Sequence, residues 1–133
     1  MLPPFDHQED SRPTILVIDD DVLSLELYTR ELSSNYRVIA CDRIEEAQRC
    51  VRRRHLSAVI LEPAINEGEG WQLLEEIHSS SSKLPVIVCS ILDERKAGLE
   101  KAADAFLVKP VPPTTLHRMI DRLFTHENEQ SDR

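Results

Sequence analysis

Cysteine is scarce in this chain and follows no pattern. There are three, Cys41, Cys50 and Cys89. The number is odd and the spacing is not that of a metal site, so thiols in a reducing cytoplasm are the simplest reading. Long apolar runs are missing too: none approaches the roughly 18 residues that a membrane span requires. Basic charge is outnumbered, with 16 Lys and Arg against 24 Asp and Glu and a net charge of −8. That balance argues against a nucleic-acid-binding face, which would be basic. The opening MLPPFDHQEDSRP has no apolar stretch of the kind a signal peptide carries. No internal repeat is present, and the five histidines are scattered without metal spacing.

What is there is the composition of a globular domain: 133 residues, 41% hydrophobic and 30% charged. One domain is expected, over residues 13–125, with a loose tail at 1–12 and another at 126–133. Five short apolar runs recur: TILVI (14–18), YRVIA (36–40), SAVIL (57–61), PVIVCS (85–90) and AFLV (105–108). They are continuous rather than alternating, as parallel strands covered on both faces are. Between them lie segments with helical spacing. Leu25, Tyr28 and Leu32 share one face, as do Ile44, Ala47 and Val51, then Leu73, Leu74 and Ile77, and lastly Leu116, Met119, Ile120 and Leu123. A fifth helix is expected over 93–103 on the thinner apolar content of Ala97, Leu99, Ala102 and Ala103. Asp20 or Asp21 can cap the first helix, and Thr114 or Thr115 the last. Strand and helix alternate, so the fold class is α/β with a parallel sheet and right-handed crossovers.

In such sheets functional residues gather at the carboxyl ends of the strands. The first strand ends in Asp19, Asp20 and Asp21, the third in Glu62, the fourth in Ser90, and the fifth in Lys109 followed by Pro110. Carboxylates brought that close repel unless a cation sits among them. Lys109 supplies one positive charge, and a Mg²⁺ with oxygen ligands could supply two more.

Taken in order, ILVIDDD, AVILEPAINEGEGW, PVIVCS and AFLVKP resemble the receiver domain of two-component response regulators, over roughly residues 13 to 125. The resemblance implies a doubly wound, flavodoxin-like sheet of five parallel strands in the order 2-1-3-4-5, flanked by five helices. It implies Mg²⁺ held by Asp19 and Asp20, with the acceptor carboxylate and the backbone carbonyl of Ala64. It places the phosphoacceptor at residue 62, a switch hydroxyl at Ser90, a switch aromatic at Phe106 and a phosphate-pairing ammonium at Lys109. The Lys109–Pro110 bond is cis in that pattern.

Two departures stand out. The acceptor position holds Glu62 where the family has Asp, and the loop beyond it reads Ile65-Asn66-Glu67 where Met-Pro-Gly is common. Ala102 also replaces a frequent Gly. Glutamate sets its oxygens about 1.5 Å farther out, roughly one C–C bond. Phosphoryl transfer is mostly a matter of positioning, and a 1 Å displacement costs on the order of 100-fold. The longer arm also carries its charge towards Ser90 and Lys109, like a partial mimic of a phosphorylated site. The expectation is therefore an atypical, pseudo-receiver signalling module in the cytoplasm, not an enzyme, working through protein–protein contacts without phosphorylation at Glu62. Mg²⁺ binding is expected weak or absent. The partners implied are a histidine kinase or a downstream effector, with self-association as a homodimer through about residues 93–124. The alternatives are a slowly or unusually phosphorylated receiver, and a small Mg²⁺-dependent phosphohydrolase of the haloacid-dehalogenase type with Asp19 as nucleophile and Asp21 as acid/base.

Overall fold

In the computed structural model, residues 11–80, 83–91 and 103–131 are described. Their elements follow in chain order: β1 (Thr14–Ile18), α1 (Val22–Leu32), β2 (Arg37–Cys41), α2 (Ile44–Arg53), β3 (Ala58–Leu61), α3 (Ile65–Ser80), β4 (Val86–Ser90), β5 (Ala105–Val108) and α4 (Pro113–Ser131). The five strands form one parallel sheet in the order β2-β1-β3-β4-β5. This is the parallel α/β sheet expected from the alternation of strands and helices, in the doubly wound order that the resemblance implied. Strand order reverses beside β1, the place where such sheets open a crevice at their carboxyl edge.

The continuous apolar runs follow from the two-sided burial of the sheet. Successive side chains along a strand point to opposite faces. Leu16, Ile18, Val59, Leu61, Val86 and Val88 therefore pack with Ile44, Ala47, Leu73, Leu74 and Ile77 of α2 and α3. Ile15, Val17, Ala58, Ile60, Ile87 and Cys89 pack on the other face with Tyr28 and Leu32 of α1 and Leu116 and Ile120 of α4. Each Ile or Leu so buried contributes roughly 2 kcal/mol of apolar transfer. The helical stripes read from the sequence are the ones turned inward, and Trp71 packs at the margin of the first cluster.

Local differences from the sequence reading have local causes. Asp21 stands at the N-cap of α1 but makes no side-chain cap to a backbone amide; its Oδ2 instead accepts the Ser24 hydroxyl at 2.6 Å. The last helix begins at Pro113, so Thr114 and Thr115 lie within its first turn rather than ahead of it. Proline suits that position because its missing N–H has no partner there anyway. The same helix continues to Ser131, through most of the segment expected as a tail from residue 126. No Pro or Gly follows Pro113 to stop it. The expected helix at 93–103 lies, as far as 102, outside the described residues, as does the tail at 1–10. No helix among the described residues is long and apolar enough to cross a membrane.

Candidate functional site at the carboxyl edge of the sheet

The parallel ladders run one residue past the strands, and that extension assembles the site. The Glu62 amide donates to the Ile18 carbonyl at 2.9 Å, and the Asp19 amide donates to the Cys41 carbonyl at 3.1 Å. On the other side of β3, the Lys109 amide donates to the Ser90 carbonyl at 2.8 Å. Asp19, Glu62, Ser90 and Lys109 are thus fixed on one rim although they are far apart in sequence. The Lys109–Pro110 peptide bond is cis, as the resemblance implied.

Lys109 closes the arrangement. Its Nζ lies 2.6 Å from Asp19 Oδ2 and 3.1 Å from Glu62 Oε1. The remaining carboxylate oxygens are held by backbone. Asp19 Oδ1 accepts the Asp21 amide at 2.9 Å, and Glu62 Oε2 accepts the Ala64 amide at 3.1 Å. Asp19 is 2% exposed and Glu62 5%. Two buried carboxylates side by side would be costly, and the ammonium between them offsets that cost.

The titration behaviour expresses the same balance. Burial pushes the Asp19 carboxyl up from its ordinary value, against the pull of the Lys109 hydrogen bond and the Asp21 amide. Burial alone would lower Lys109, but its hydrogen bond and charge pairing with Asp19, and then with Glu62, raise it above the usual lysine range. The ammonium is the firmly charged member of the trio.

Not every expected residue joins in. Asp20 is exposed and lines a shallow depression of about 390 Å³ with Asp42, Arg43, Ile44, Glu45, Ile65 and Asn66. It lies beyond the end of β1, where the chain bends towards α1. Ser90 is fully buried at the end of β4. Phe106 pairs in register with Val88 and packs, half-buried, against the core. Ala64 takes part through its amide rather than its carbonyl, which accepts the Gly68 amide at 3.2 Å.

As placed, these donors do not fit a Mg²⁺. Both oxygens of Asp19 and of Glu62 are engaged, and Asp20 faces elsewhere. Among the described residues no cluster of three or more His, Cys, Asp or Glu could hold a metal ion. Of the expected ligands, Asp19 and Glu62 share the Lys109 ammonium, while Asp20 lines the neighbouring depression.

The sequence reading missed the part played by backbone amides, those of Asp21 and Ala64, in holding the two carboxylates. It also missed the conformation of the loop beyond Glu62. Asn66, Glu67 and Gly68 all have positive φ, 51°, 61° and 102°. The signal available was the departure at Ile65-Asn66-Glu67, since Asn and Gly tolerate left-handed backbone while Glu does not favour it. A second local constraint is Gly70. A Cβ there would lie 2.5 Å from the Pro63 Cα and 2.9 Å from the Glu62 carbonyl oxygen, so only glycine lets α3 approach the chain that carries Glu62.

Comparison with known proteins bears on the family and the fold. Residues 15–121 match the family model of the response regulator receiver domain. The transcriptional regulatory protein BasR of Escherichia coli strain K12 is 30% identical over 124 residues, covering 89% of this chain and 55% of its own length. A probable transcriptional regulator, ycf27, of Pyropia yezoensis is 33% identical over 116 residues, covering 84% of this chain and 47% of its own length. The chain thus spans about half the length of these curated relatives. Among solved structures, a receiver domain protein from Methanospirillum hungatei JF-1 superposes with a TM-score of 0.81 at 24% identity, covering 90% of this chain and 99% of its own.

Proposed function

The chain belongs to the response regulator receiver domain family, and from that premise we propose that it is an atypical receiver whose signal does not depend on phosphorylation at residue 62. One observation carries this reading: the Glu62 carboxylate reaches the Lys109 ammonium at 3.1 Å. In the family that lysine pairs with the phosphoryl group of a modified aspartate. Here the longer side chain delivers a permanent negative charge to the same ammonium, one charge where a phosphoryl group carries nearly two.

The same geometry counts against modification at Glu62. Its Oε1 is tied to Lys109 and its Oε2 to the Ala64 amide. An attacking oxygen would have to give up one of these contacts before reaching a phosphorus atom, and the longer arm starts from a displaced position. Nor is Asp19 poised as the nucleophile of a phosphohydrolase, since Lys109 and the Asp21 amide engage both its oxygens.

The module acts in the cytoplasm through partner binding, with a histidine kinase or a downstream effector as the partner class. Self-association through about residues 93–124 is the further part of this reading, and two of its charges are committed within the chain. Asp104 Oδ2 accepts the Val86 amide at 2.8 Å, and Asp121 is engaged by the Tyr36 hydroxyl and by His117.

The experiment is exposure of the chain to acetyl phosphate and Mg²⁺, beside an aspartate-acceptor receiver as positive control, followed by intact mass measurement. The control gains a phosphoryl group and this chain stays unmodified. A stoichiometric adduct mapped to Glu62 would overturn the proposal.

A further inference from the structure

Away from the acidic rim, two thiols meet. Cys41 closes β2 and Cys50 lies in α2, and their Sγ atoms are 3.9 Å apart. Both are free thiols. The contact follows from the fold. Cys50 falls three residues after the buried Ala47, so α2 turns it inward onto the end of the strand it follows. We propose that Cys41 and Cys50 are a site of reversible oxidation, joined into an intramolecular disulfide by a hydroperoxide.

The surroundings divide the roles. Cys41 is buried, and burial together with its neighbour Cys50 pushes its thiol up to about 12, so it holds its proton in the resting state. Cys50 is half-buried and lines an open depression of about 320 Å³ with Arg49, Arg53 and Arg54. That mouth, which Glu46 also lines, admits a small oxidant to Cys50, whereas Cys41 is buried. Cys50 is therefore the attacking sulfur and Cys41 the resolving one.

The chemistry balances with the peroxide as sole oxidant. The Cys50 thiolate attacks one peroxide oxygen, the O–O bond breaks, and the departing oxygen takes up a proton to leave as water, with Cys50 now a sulfenic acid. The Cys41 sulfur then attacks the Cys50 sulfur, the S–O bond breaks, and the hydroxide leaves with the Cys41 proton as a second water. Two thiols and one hydrogen peroxide yield one disulfide and two waters; two electrons pass from sulfur to oxygen. Closing the bond brings the sulfurs from 3.9 Å to about 2.05 Å. A dithiol reductant reverses it.

This site has a direct line to the acidic rim, because the Cys41 carbonyl is the acceptor of the Asp19 amide. The inference itself stands independently of how Glu62 signals.

The test is brief exposure of the whole chain to a small excess of hydrogen peroxide, then alkylation of remaining thiols in denaturant and tryptic mapping without reductant. Arg43 and Arg49 lie between the two cysteines, so trypsin separates them unless a disulfide holds the peptides together. The expected product is a monomer lighter by two hydrogen atoms, with the Cys41 and Cys50 peptides joined and dithiothreitol restoring both thiols. Cys89→Ser, which removes the third thiol buried in β4, retains the product. Cys50→Ser, at the half-buried position, loses it completely. The proposal is overturned if both thiols remain alkylatable, if Cys50 proceeds to sulfinic acid with Cys41 still free, or if the only disulfide formed joins two chains.

Discussion

The rim of the sheet has two halves that are built differently. At the ends of β1, β4 and β5 the geometry is closed: Asp19, Ser90 and Lys109 are buried or nearly so, with the ammonium locked to its acid at 2.6 Å. At the end of β3 both the carboxylate and the following loop depart, and there the backbone is under strain, with Asn66 and Glu67 in left-handed conformation. The longer side chain and the altered loop belong together. Glu62 is held from one side by Lys109 and from the other by the Ala64 amide of its own loop. The contrast teaches that one ammonium ties the two halves together, since Lys109 contacts both Asp19 and Glu62.

The largest expected effect comes from the closed half. Lys109→Ala leaves Asp19 and Glu62 buried without a counter-charge, and removing one partner of a buried ion pair costs about 3–5 kcal/mol. The lower end, about 3 kcal/mol, is expected because the lysine side chain retains 11% exposure. The sign with pH can be worked out. Asp19 has its folded value raised, so its protonated form suits the fold and ionisation is a cost, offset in the native chain by Lys109. In the variant that offset is gone, so stability is retained in acid and falls as pH rises through the raised folded value of Asp19. Urea unfolding at pH 4 and pH 8 checks this. A deficit equal at both values would mean that the lysine contributes packing alone, and the two halves of the rim would then not be coupled by charge.

A smaller effect probes the joint between the halves. Gly70→Ala places a methyl 2.5 Å from the Pro63 Cα and 2.8 Å from its carbonyl oxygen. Neither is the end of a flexible side chain, so the loop that carries Glu62 must move. Overpacking of this kind costs about 1–3 kcal/mol. The urea midpoint falls accordingly, and the amide resonance of Ala64, which is bonded to Glu62, shifts. An unmoved Ala64 resonance would show that α3 and the loop yield without disturbing the carboxylate.

Much of this could be read from the residues, and the part that could not has a common cause. The strands were legible because two-sided burial forces unbroken apolar runs, as in Ile15–Ile18 and Val86–Cys89. The rim residues were legible because each follows directly on such a run. What the letters did not carry was direction. Asp19 and Asp20 are the same residue type, yet one is buried and the other exposed, because the chain leaves the strand and bends between them. The turn of Glu62 back onto Ala64 depends on side-chain torsions and on a loop whose left-handed run leaves only an odd Asn-Glu-Gly as its trace. The meeting of Cys41 and Cys50 across a strand, a loop and a helix is tertiary, hidden from any test of local ligand spacing. The extension of α4 to Ser131 was missed for the opposite reason: polar residues look like a tail until one asks what would stop the helix.

The smallest expected effect isolates the strained half. Glu67 is exposed and sits at φ 61°, where a residue with a Cβ carries roughly 1–2 kcal/mol of steric cost. Glu67→Gly removes that cost but gives the unfolded chain more freedom, which returns roughly 0.5–1 kcal/mol. A net gain of about 0.5 kcal/mol is left, seen as a slightly higher urea midpoint with an unchanged slope. The variant touches neither Lys109 nor Asp19, so the resonances of the closed half stay where they are. Should Glu67→Gly instead destabilise, the left-handed turn would be held by contacts of the Glu67 side chain. The strain would then be compensated locally, and the loop would not be the weaker half of the rim.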